Sequence, residues 1–440
     1  MNFRQVNVGI IGLGTVGTGV ARILLEQKEL LRTRTSLDLN LKTIADLDWS
    51  KGRNLDLSRV NCTTNADALL EDPEINIVVE TIGGYEPAFS FISKALKNHK
   101  HVVTANKALI ATRGMDLYKI AQENGVNLLF EASVGGGIPI IKGLREGLVA
   151  NKFKSIYGIL NGTTNYILTK MHQEGLEFAD ALKRAQEKGF AEADPTLDIS
   201  GGDAAHKIAI LGSIASNSFI PFDKIYVEGI TGITKLDIGF AQSFGMTIKL
   251  LAICKITEEG VDLRVHPTLI DNSHLLAAVS NELNAIFVKG DFVGNTMFYG
   301  PGAGERPTAS AIVSDIVDLS RDLFVQEGVK YSNKAISLTQ NVRLIPIEDI
   351  KNRFYLRFMT MDKPGVLSMI SGVLAEHNIS ISSMVQLESH GKDNYVPIVL
   401  LTHEALEKSM ELALQKILKF DFVKKDYLRL RIFENHDYND

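Results

Sequence analysis

Short apolar runs alternate with amphipathic segments along the first 135 residues. The runs that predict strands cover residues 6–11, 39–45, 75–80, 101–104 and 126–130. Helical periodicity runs from residue 16 to about residue 31, and again through Phe91, Ala95 and Leu96. Strands that alternate with helices form parallel sheets covered on both faces. The pattern therefore predicts an α/β fold that starts with a doubly wound parallel sheet over residues 1–135.

The alternation changes after that point. Strands are predicted at 153–160, 226–228, 261–267, 285–289 and 294–300, between helices, which indicates a central α+β domain over 136–323 for catalysis and dimerisation. A connector is predicted over 324–350. Residues 351–432 predict the order β-α-β-β-α-β of a ferredoxin-like module, with strands at 353–359, 379–387, 395–402 and 423–432 and helices at 366–377 and 403–418.

The composition mainly excludes certain classes of protein and of partner. With 440 residues, 45% apolar and 22% charged, the chain is an ordinary globular protein of several domains. Its net charge of −5 gives no reason to expect nucleic acid or an anionic membrane as a partner. Cys62 and Cys254 are the only cysteines, which excludes a disulfide framework and a thiolate metal site. We expect a cytoplasmic protein.

A glycine pattern follows the first predicted strand and opens the first predicted helix. Gly12, Gly14 and Gly17 have the spacing of a dinucleotide fingerprint, with Thr15 and Val16 at the start of the helix. The first glycine permits a tight turn, the second lets the backbone approach a pyrophosphate, and the third lets the helix pack on the strand. We therefore expect a Rossmann domain that binds NAD or NADP.

Other predicted strands end at the same crevice. Asp46 ends the second strand, where a carboxylate accepts from the ribose hydroxyls of NAD and repels a 2′-phosphate. Lys51 and Arg53 lie just beyond and offset that repulsion, so the choice between NAD and NADP stays open. Thr81 ends the third strand, and Lys107 follows the fourth.

Two further glycine-rich turns have alternative interpretations. Residues 131–138 place a carboxylate before three glycines, which suits either a hard cation held by oxygen atoms or a hinge between domains. Gly302 and Gly304 precede a predicted helix and either cover the nicotinamide or cap the helix.

The passage 189–207 combines several acidic residues with one lysine. The acidic residues in this passage are Glu192, Asp194, Asp198 and Asp203. Asp203 and Lys207 stand four residues apart on one predicted helix, an arrangement that suits ammonium binding and proton transfer, or else a solvated, salt-bridged helix start. Thr163 lies in a run of hydroxyl and amide side chains that suits a small polar substrate.

Together these motifs resemble the homoserine dehydrogenase family over residues 4–430, with anchors at 12–17, 104–107, 131–138, 160–165, 189–207 and 299–304. The resemblance implies the interconversion of L-aspartate 4-semialdehyde and L-homoserine with NAD(P)(H). It implies that Lys207 is the acid/base, with Lys107 between cofactor and substrate. It also implies that Glu192 and Asp203 bind the substrate, supported by Asp198.

The same resemblance implies ligand sets for the cofactor and for a cation. The predicted cofactor contacts are Gly12, Gly14, Thr15, Val16, Gly17, Asp46, Thr81, Lys107, Gly189, Gly302 and Gly304. The predicted sodium ligands are Glu131, Val134, Gly136 and Ile138.

The C-terminal module resembles ACT domains, which bind amino acids. Asp362 and Gly365 belong to the D-x-P-G-x-L signature, and Asn378 follows the first helix of the module. The resemblance is to monofunctional members and implies a feedback effector such as threonine and a homodimer or homotetramer. Two rivals are another Rossmann amino-acid dehydrogenase, such as an aspartate dehydrogenase, and a non-catalytic amino-acid sensor.

Overall fold

The structure is a computed structural model that describes residues 3–50, 54–324, 342–386 and 394–433. The strands of the N-terminal segment are Arg4–Ile11 (β1), Leu37–Ala45 (β2), Asn61–Thr63 (β3), Ile77–Glu80 (β4), His101–Thr104 (β5) and Leu128–Leu129 (β6). The helices are Thr15–Glu26 (α1), Lys28–Thr35 (α2), Ala66–Leu70 (α3), Ala88–Lys97 (α4), Lys107–Glu123 (α5) and Ile140–Lys142 (α6).

The middle of the chain adds six strands and six helices within the described residues. The strands are Phe153–Ile159 (β7), Tyr226–Val227 (β8), Met246–Thr257 (β9), Gly260–Asp271 (β10), Leu283–Gly290 (β11) and Gly294–Pro301 (β12). The helices are Gly162–Glu174 (α7), Phe178–Glu187 (α8), Thr196–Ile199 (α9), Gly202–Ser216 (α10), Lys235–Ser243 (α11) and Glu305–Asp322 (α12).

The C-terminal module begins after residues 325–341, which lie outside the described residues and contain most of the predicted connector. Its strands are Lys351–Met361 (β13), Ile381–Gln386 (β14), Tyr395–Thr402 (β15), Ala405–Leu406 (β16) and Val423–Ile432 (β17). Its helices are Val366–Glu376 (α13) and Glu407–Ile417 (α14). The predicted β-α-β-β-α-β order is confirmed, with the two-residue strand β16 added before α14.

The chain folds into two compact units. Unit 1 comprises Met1–Phe153, His206–Lys224 and Asn284–Val342, and unit 2 comprises Lys154–Ala205, Ile225–Leu283 and Arg343–Asp440. Each unit therefore combines segments that are far apart in sequence.

Unit 1 is built on a parallel sheet with the strand order β3-β2-β1-β4-β5-β6, which confirms the doubly wound prediction. Val8 and Ile10 of β1 are fully buried, and Ala309, Ile312 and Ile316 of α12 belong to the same core. The strand order reverses direction between β1 and β4, and ligands of such sheets bind beyond the carboxyl ends of the strands at that point. Residues Gly12 and Thr81 directly follow these two ends.

Unit 2 contains a sheet with the strand order β7-β9-β10-β17-β13-β15-β14. Strands β9 and β10 pair antiparallel over their full lengths. The last strand of the C-terminal module, β17, pairs parallel with β10 through Arg431 opposite Thr268. The module also has its own core, which includes Phe354, Ile370 and Leu414.

Several elements of the structure differ from the predicted ones, and three of these differences have a clear physical reason. The single helix predicted over 16–31 is two helices, because the backbone at Gln27 (φ −105°, ψ 19°) leaves the helical conformation between α1 and α2. Strand β9 was missed because most of its residues are buried, so it lacks the alternation that indicates a half-buried strand. Helix α14 begins at Glu407 rather than 403, because residues 405–406 pair with β13 as β16.

Within the described ranges, every helix is too short or too polar to cross a lipid bilayer.

Candidate active site

The turn between β1 and α1 is shaped by its glycines. Gly12 has a φ of +96°, and a Cβ atom there would lie 2.7 Å from the Ile82 side chain. A Cβ atom on Gly17 would lie 2.0 Å from the Gly12 carbonyl oxygen, whereas one on Gly14 would meet no atom within 4 Å. Gly14 is the N-cap of α1, so no side chain there covers the first N–H groups of the helix. The turn thus presents open backbone at a helix N-terminus, which suits a pyrophosphate.

Asp46 holds this turn from the neighbouring strand. Its carboxylate accepts hydrogen bonds from the backbone N–H groups of Leu13 and of Asp48, the latter at 2.7 Å. It lies on a cleft of about 470 Å³ that Gly12, Asn65 and Phe91 also line. The cleft and the open glycine turn fit the adenosine and pyrophosphate parts of a dinucleotide. Lys51 and Arg53, which bear on the choice between NAD and NADP, lie outside the described residues.

A buried carboxylate that sequence reasoning missed organises the ends of β4 and β5. Glu80 is fully buried and accepts from the N–H groups of Ile82 (2.8 Å) and Gly83 (2.9 Å) and from the Thr104 hydroxyl (2.5 Å). The Thr104 oxygen in turn accepts from the Asn106 N–H group at 3.0 Å. An acidic residue at the end of an otherwise apolar strand was the available signal.

Two residues close to this network, Thr81 and Lys107, are among the predicted cofactor contacts. Asn106 caps α5 by accepting from the Leu109 N–H group at 3.1 Å, which places Lys107 as the first residue of the helix. The Thr81 hydroxyl donates to the Gly12 carbonyl at 2.7 Å, so Thr81 supports the glycine turn. Lys107 and Thr81 thus follow the carboxyl ends of β5 and β4, as predicted.

Glu131 begins the turn predicted to hold a cation. Its carboxylate accepts from the N–H groups of Ile141 (2.9 Å) and Lys142 (2.7 Å), and its own N–H group donates to Asp315 at 2.9 Å. Burial, reinforced by the nearby Asp315 carboxylate, raises the pKa of Glu131 to about 7. Among the described residues, no three His, Cys, Asp or Glu side chains form a metal cluster, so a cation here would depend on carbonyl oxygens.

The same turn packs backbone to backbone against the turn before α12. A Cβ atom on Gly136 would lie 2.6 Å from the Gly302 carbonyl, and one on Gly302 would lie 2.0 Å from the Asn284 side-chain nitrogen. Gly304, with a φ of +115°, is the N-cap of α12. The two glycine-rich turns, of which the first also contains Val134 and Ile138, are therefore neighbours within unit 1.

Unit 2 contains a cluster of polar side chains at the start of α7. The Asn161 side-chain nitrogen donates to Asp198 at 2.7 Å and to Asp203 at 2.9 Å. The Thr163 hydroxyl lies 3.0 Å from the other Asp198 oxygen and 2.6 Å from the Phe190 carbonyl oxygen. Asn161, Thr163 and Asp203 are 5%, 7% and 2% exposed. The structure thus brings three predicted substrate residues together and adds Asn161.

Two acidic residues of the predicted substrate loop are more open, whereas Lys207 is buried. Glu192 and Asp194 are exposed, and the Asp194 carboxylate accepts from the hydroxyl of Thr196 at 2.6 Å. Gly189 has a φ of +74° and ends the turn after α8. Lys207 lies one turn after Asp203 on α10 and is 7% exposed. A lysine that is shielded from water is suited to proton transfer.

The predicted effector residues do not come together within one copy of the chain. Gly365, with a φ of +92°, caps the N-terminus of α13, and Asp362 lies just before it. Asn378 follows the opposite end of that helix, which at 11 residues is about 16 Å long. A single small amino acid therefore cannot contact both ends in one copy.

Comparisons with known proteins match three regions. The family "Homoserine dehydrogenase, NAD binding domain" matches residues 12–131, "Homoserine dehydrogenase" matches 139–317, and "ACT domain" matches 354–421. A homoserine dehydrogenase of Neisseria gonorrhoeae is 41% identical over 99% of this chain and 100% of its own length. One of Pseudomonas aeruginosa is 42% identical over 98% of this chain and 99% of its own length.

Solved structures agree with the sequence comparisons. A crystal structure of a homoserine dehydrogenase from Thiobacillus denitrificans has a TM-score of 0.93 at 43% identity, covering 98% of this chain and 99% of that one. A hyperthermophilic archaeal homoserine dehydrogenase, solved in complex with NADPH, has a TM-score of 0.62 at 29% identity, covering 72% of this chain and 98% of that one.

Proposed function

Since the chain belongs to the homoserine dehydrogenase family, and so interconverts L-homoserine and L-aspartate 4-semialdehyde with NAD(P)(H), we propose which of its residues do so. The observation that carries the proposal is the hydrogen-bonded cluster of Asn161, Thr163, Asp198 and Asp203, with Lys207 one turn further along α10. The family assignment excludes the aspartate dehydrogenase and sensor alternatives.

The carboxylates of the cluster hold the ammonium group of the amino acid. Asp203 is 2% exposed, and Asn161 fixes it and Asp198 from one side. Buried carboxylates attract a cation strongly because solvent screens them little. Glu192, which is exposed, completes the ammonium site when the substrate is bound.

Lys207 acts as the acid/base at the substrate oxygen. It protonates the forming alkoxide during reduction of the aldehyde and removes the same proton during oxidation of the alcohol. Its burial on α10 keeps water away from that proton. For Lys107, the family resemblance implies a place between cofactor and substrate.

The dinucleotide binds at the glycine turn, where the missing side chain of Gly14 lets the pyrophosphate approach the backbone and Asp46 faces the ribose. When bound, its nicotinamide supplies or accepts the hydride. We propose that the chain uses NAD at least as well as NADP, because Asp46 repels a 2′-phosphate. The family resemblance also implies cofactor contacts at Gly189, Gly302 and Gly304.

A sodium ion binds the carbonyl oxygens of the turn that contains Glu131, Val134, Gly136 and Ile138. Support comes from the positive φ angles of Gly135 (+72°) and Gly136 (+55°), which turn the backbone sharply, and from the buried Glu131 carboxylate nearby. The charge of the ion would favour ionisation of Glu131. The carboxylate already accepts two N–H groups, so the carbonyl oxygens provide most of the ligands.

The C-terminal module binds an amino acid, with threonine as the proposed effector, and regulates the dehydrogenase within threonine, methionine and isoleucine biosynthesis. Gly365 leaves the first N–H groups of α13 open to a carboxylate. The separation of Gly365 from Asn378 supports an effector site completed by a second copy, as in a homodimer or homotetramer working in the cytoplasm.

Steady-state assays of homoserine oxidation with NAD and with NADP, with and without threonine, test these assignments. We expect turnover with both cofactors and inhibition by threonine. An enzyme that turns over with NADP alone would contradict the role of Asp46.

A further inference from the structure

Glu228 follows strand β8 and connects the C-terminal module to the substrate loop, all within unit 2. Its backbone N–H group donates to the Val265 carbonyl at 2.8 Å. Its carboxylate accepts from Arg429 at 3.1 Å, and also from Arg431 and from the Tyr226 hydroxyl. Burial works against its ionisation, but Arg431 prevails and keeps the pKa of Glu228 below its ordinary value. Glu228 is therefore a charged residue held mainly by two arginines of the last strand.

The C-terminal module fixes these arginines in turn. Arg431 is 1% exposed and forms a two-pronged contact with Glu407 of α14, at 2.7 and 3.0 Å. Glu407 also accepts from the Asn352 side chain of β13 at 2.7 Å. Such a two-pronged arginine contact sets both distance and direction. The position of Glu228 thus depends on α14, β13 and β17 of the module.

The residues beside Glu228 support the substrate loop on their other side. The Ile230 N–H group donates to the Ile199 carbonyl at 2.9 Å, and a Cβ atom on Gly229 would lie 2.2 Å from that same oxygen. A Cβ atom on Gly201 would lie 3.0 Å from the Val227 side chain. Asp198 immediately precedes Ile199, so the segment 227–230 carries the turn on which Asp198 stands.

We propose that Glu228 is a positioning residue for the amino-acid substrate. It acts through the turn 199–201 on Asp198, and Arg431 and Arg429 set its position from the C-terminal module. The proposal rests on the proposed substrate-binding role of Asp198. A change in the module that moves β17 would therefore alter the KM for homoserine before it alters the binding of the dinucleotide.

The variant Glu228→Gln tests this with little change in shape. We expect the KM for homoserine to rise roughly tenfold, with kcat and the KM for NAD changed by less than about twofold, because the loss is in orienting the amino acid. Hydrogen exchange should quicken at the amides of Gly201 and Ile230, which bond to Asp198 and Ile199. Arg429→Gln removes one of the three contacts of the Glu228 carboxylate. It should show the same changes to a smaller extent, and it replaces Glu228→Gln as the test if that variant does not fold.

Asp237→Asn is the matched control. Asp237 is a fully buried carboxylate that accepts from another arginine of the module, Arg357, at 2.7 Å, but it lies on α11 rather than beside the substrate loop. The proposal would be overturned if the homoserine KM rose equally in Asp237→Asn, or if it did not change in Glu228→Gln. It would also be overturned if the KM for NAD rose in Glu228→Gln as much as the KM for homoserine. If the wild-type protein did not turn over homoserine, the proposed function itself would be refuted. The positioning role can still be tested separately, because unchanged hydrogen exchange at the amides of Gly201 and Ile230 in Glu228→Gln would overturn it.

Discussion

The side-chain nitrogen of Asn161 lies 2.7 Å from a carboxylate oxygen of Asp198, 37 residues later in the chain. Asn161 also caps α7 by accepting from the Thr164 N–H group at 2.8 Å. One residue therefore fixes both the start of a helix and the direction of a substrate-loop carboxylate. This relationship makes Asp198 a more sharply oriented group than its neighbour Asp194.

Replacing Asp198 by Asn should weaken homoserine binding. The amide places an N–H donor where Asn161 or Thr163 now needs an acceptor, and it removes a negative charge near the ammonium group. We expect the KM for homoserine to rise about tenfold, consistent with the loss of a hydrogen bond to a charged group. Asp194→Asn is the control, since Asp194 is exposed and bonds Thr196. Equal KM values in the two variants would contradict the assignment.

Lys207→Met should abolish most turnover while leaving binding in place. Methionine has a similar volume but cannot transfer a proton, and general acid/base catalysis is typically worth about 10²–10⁴-fold. Stopped-flow or equilibrium fluorescence titration with NADH should give a nearly unchanged Kd. Lys183→Met on the exposed face of α8 is the control and should keep full activity. A kcat in Lys207→Met close to the wild-type value would exclude the lysine as the acid/base.

The glycines of the first turn should respond differently to alanine. Gly14→Ala meets no atom within 4 Å, so the melting temperature should stay the same while the KM for the dinucleotide rises, because the new methyl group blocks backbone approach. Gly17→Ala would place its methyl group 2.0 Å from the Gly12 carbonyl and should destabilise the protein itself. Thermal unfolding and cofactor titration separate the two effects. Normal cofactor affinity in a folded Gly14→Ala variant would exclude this turn as the pyrophosphate site.

Glu131 should make stability depend on pH in a sodium-sensitive way. Its pKa is raised from 4.5 to about 7, so between these values the folded protein keeps a proton that the unfolded chain has lost. The free energy of unfolding should therefore fall as the pH rises from about 4.5 to 7. Bound sodium would favour the charged carboxylate and reduce that fall.

Chemical denaturation across this pH range tests the prediction, in sodium chloride and in tetramethylammonium chloride at equal ionic strength. Glu131→Gln should remove the part of the pH dependence of stability that Glu131 contributes. It should also remove the difference in stability between the two salts. Burial raises the pKa of Asp315 to about 6, so Asp315 should retain its own smaller contribution to the pH dependence of stability. Identical wild-type curves in the two salts would argue against the cation site.

Gly365→Val should weaken inhibition by threonine. Gly365 has a φ of +92°, which a β-branched residue avoids, and its side chain would cover the open N-terminus of α13. We expect the inhibitory threonine concentration to rise at least about tenfold, with uninhibited kcat preserved. Gly372→Ala, within α13 and away from close neighbours, is the control. Unchanged inhibition in a folded Gly365→Val variant would place the threonine site elsewhere.

Local patterns in the sequence were enough for the features that depend on near neighbours. The glycine spacing at 12–17 works within a single strand, turn and helix, and the parallel, doubly wound character of the N-terminal sheet follows from its alternating elements. The strand β3 at its edge was not predicted. The family resemblance seen in the sequence rests on the same kind of local motif. The strand β9 was not predicted, because burial along most of its length removes the alternation of apolar and polar residues.

Other features emerged only from the folded chain, because they depend on residues that are distant in sequence. Asn161 reaches Asp198 and Asp203, Glu131 meets Asp315, and α12 enters the core of the N-terminal sheet. The hydrophobic pattern shows that α12 has a buried face but not which sheet covers it. Likewise Glu228 and Arg431 have the pattern of ordinary surface charges in sequence, and only the parallel pairing of β17 with β10 brings them together in a partly desolvated ion pair. The elements and the chemistry they carry are thus encoded locally, while long-range packing determines which of those groups act together.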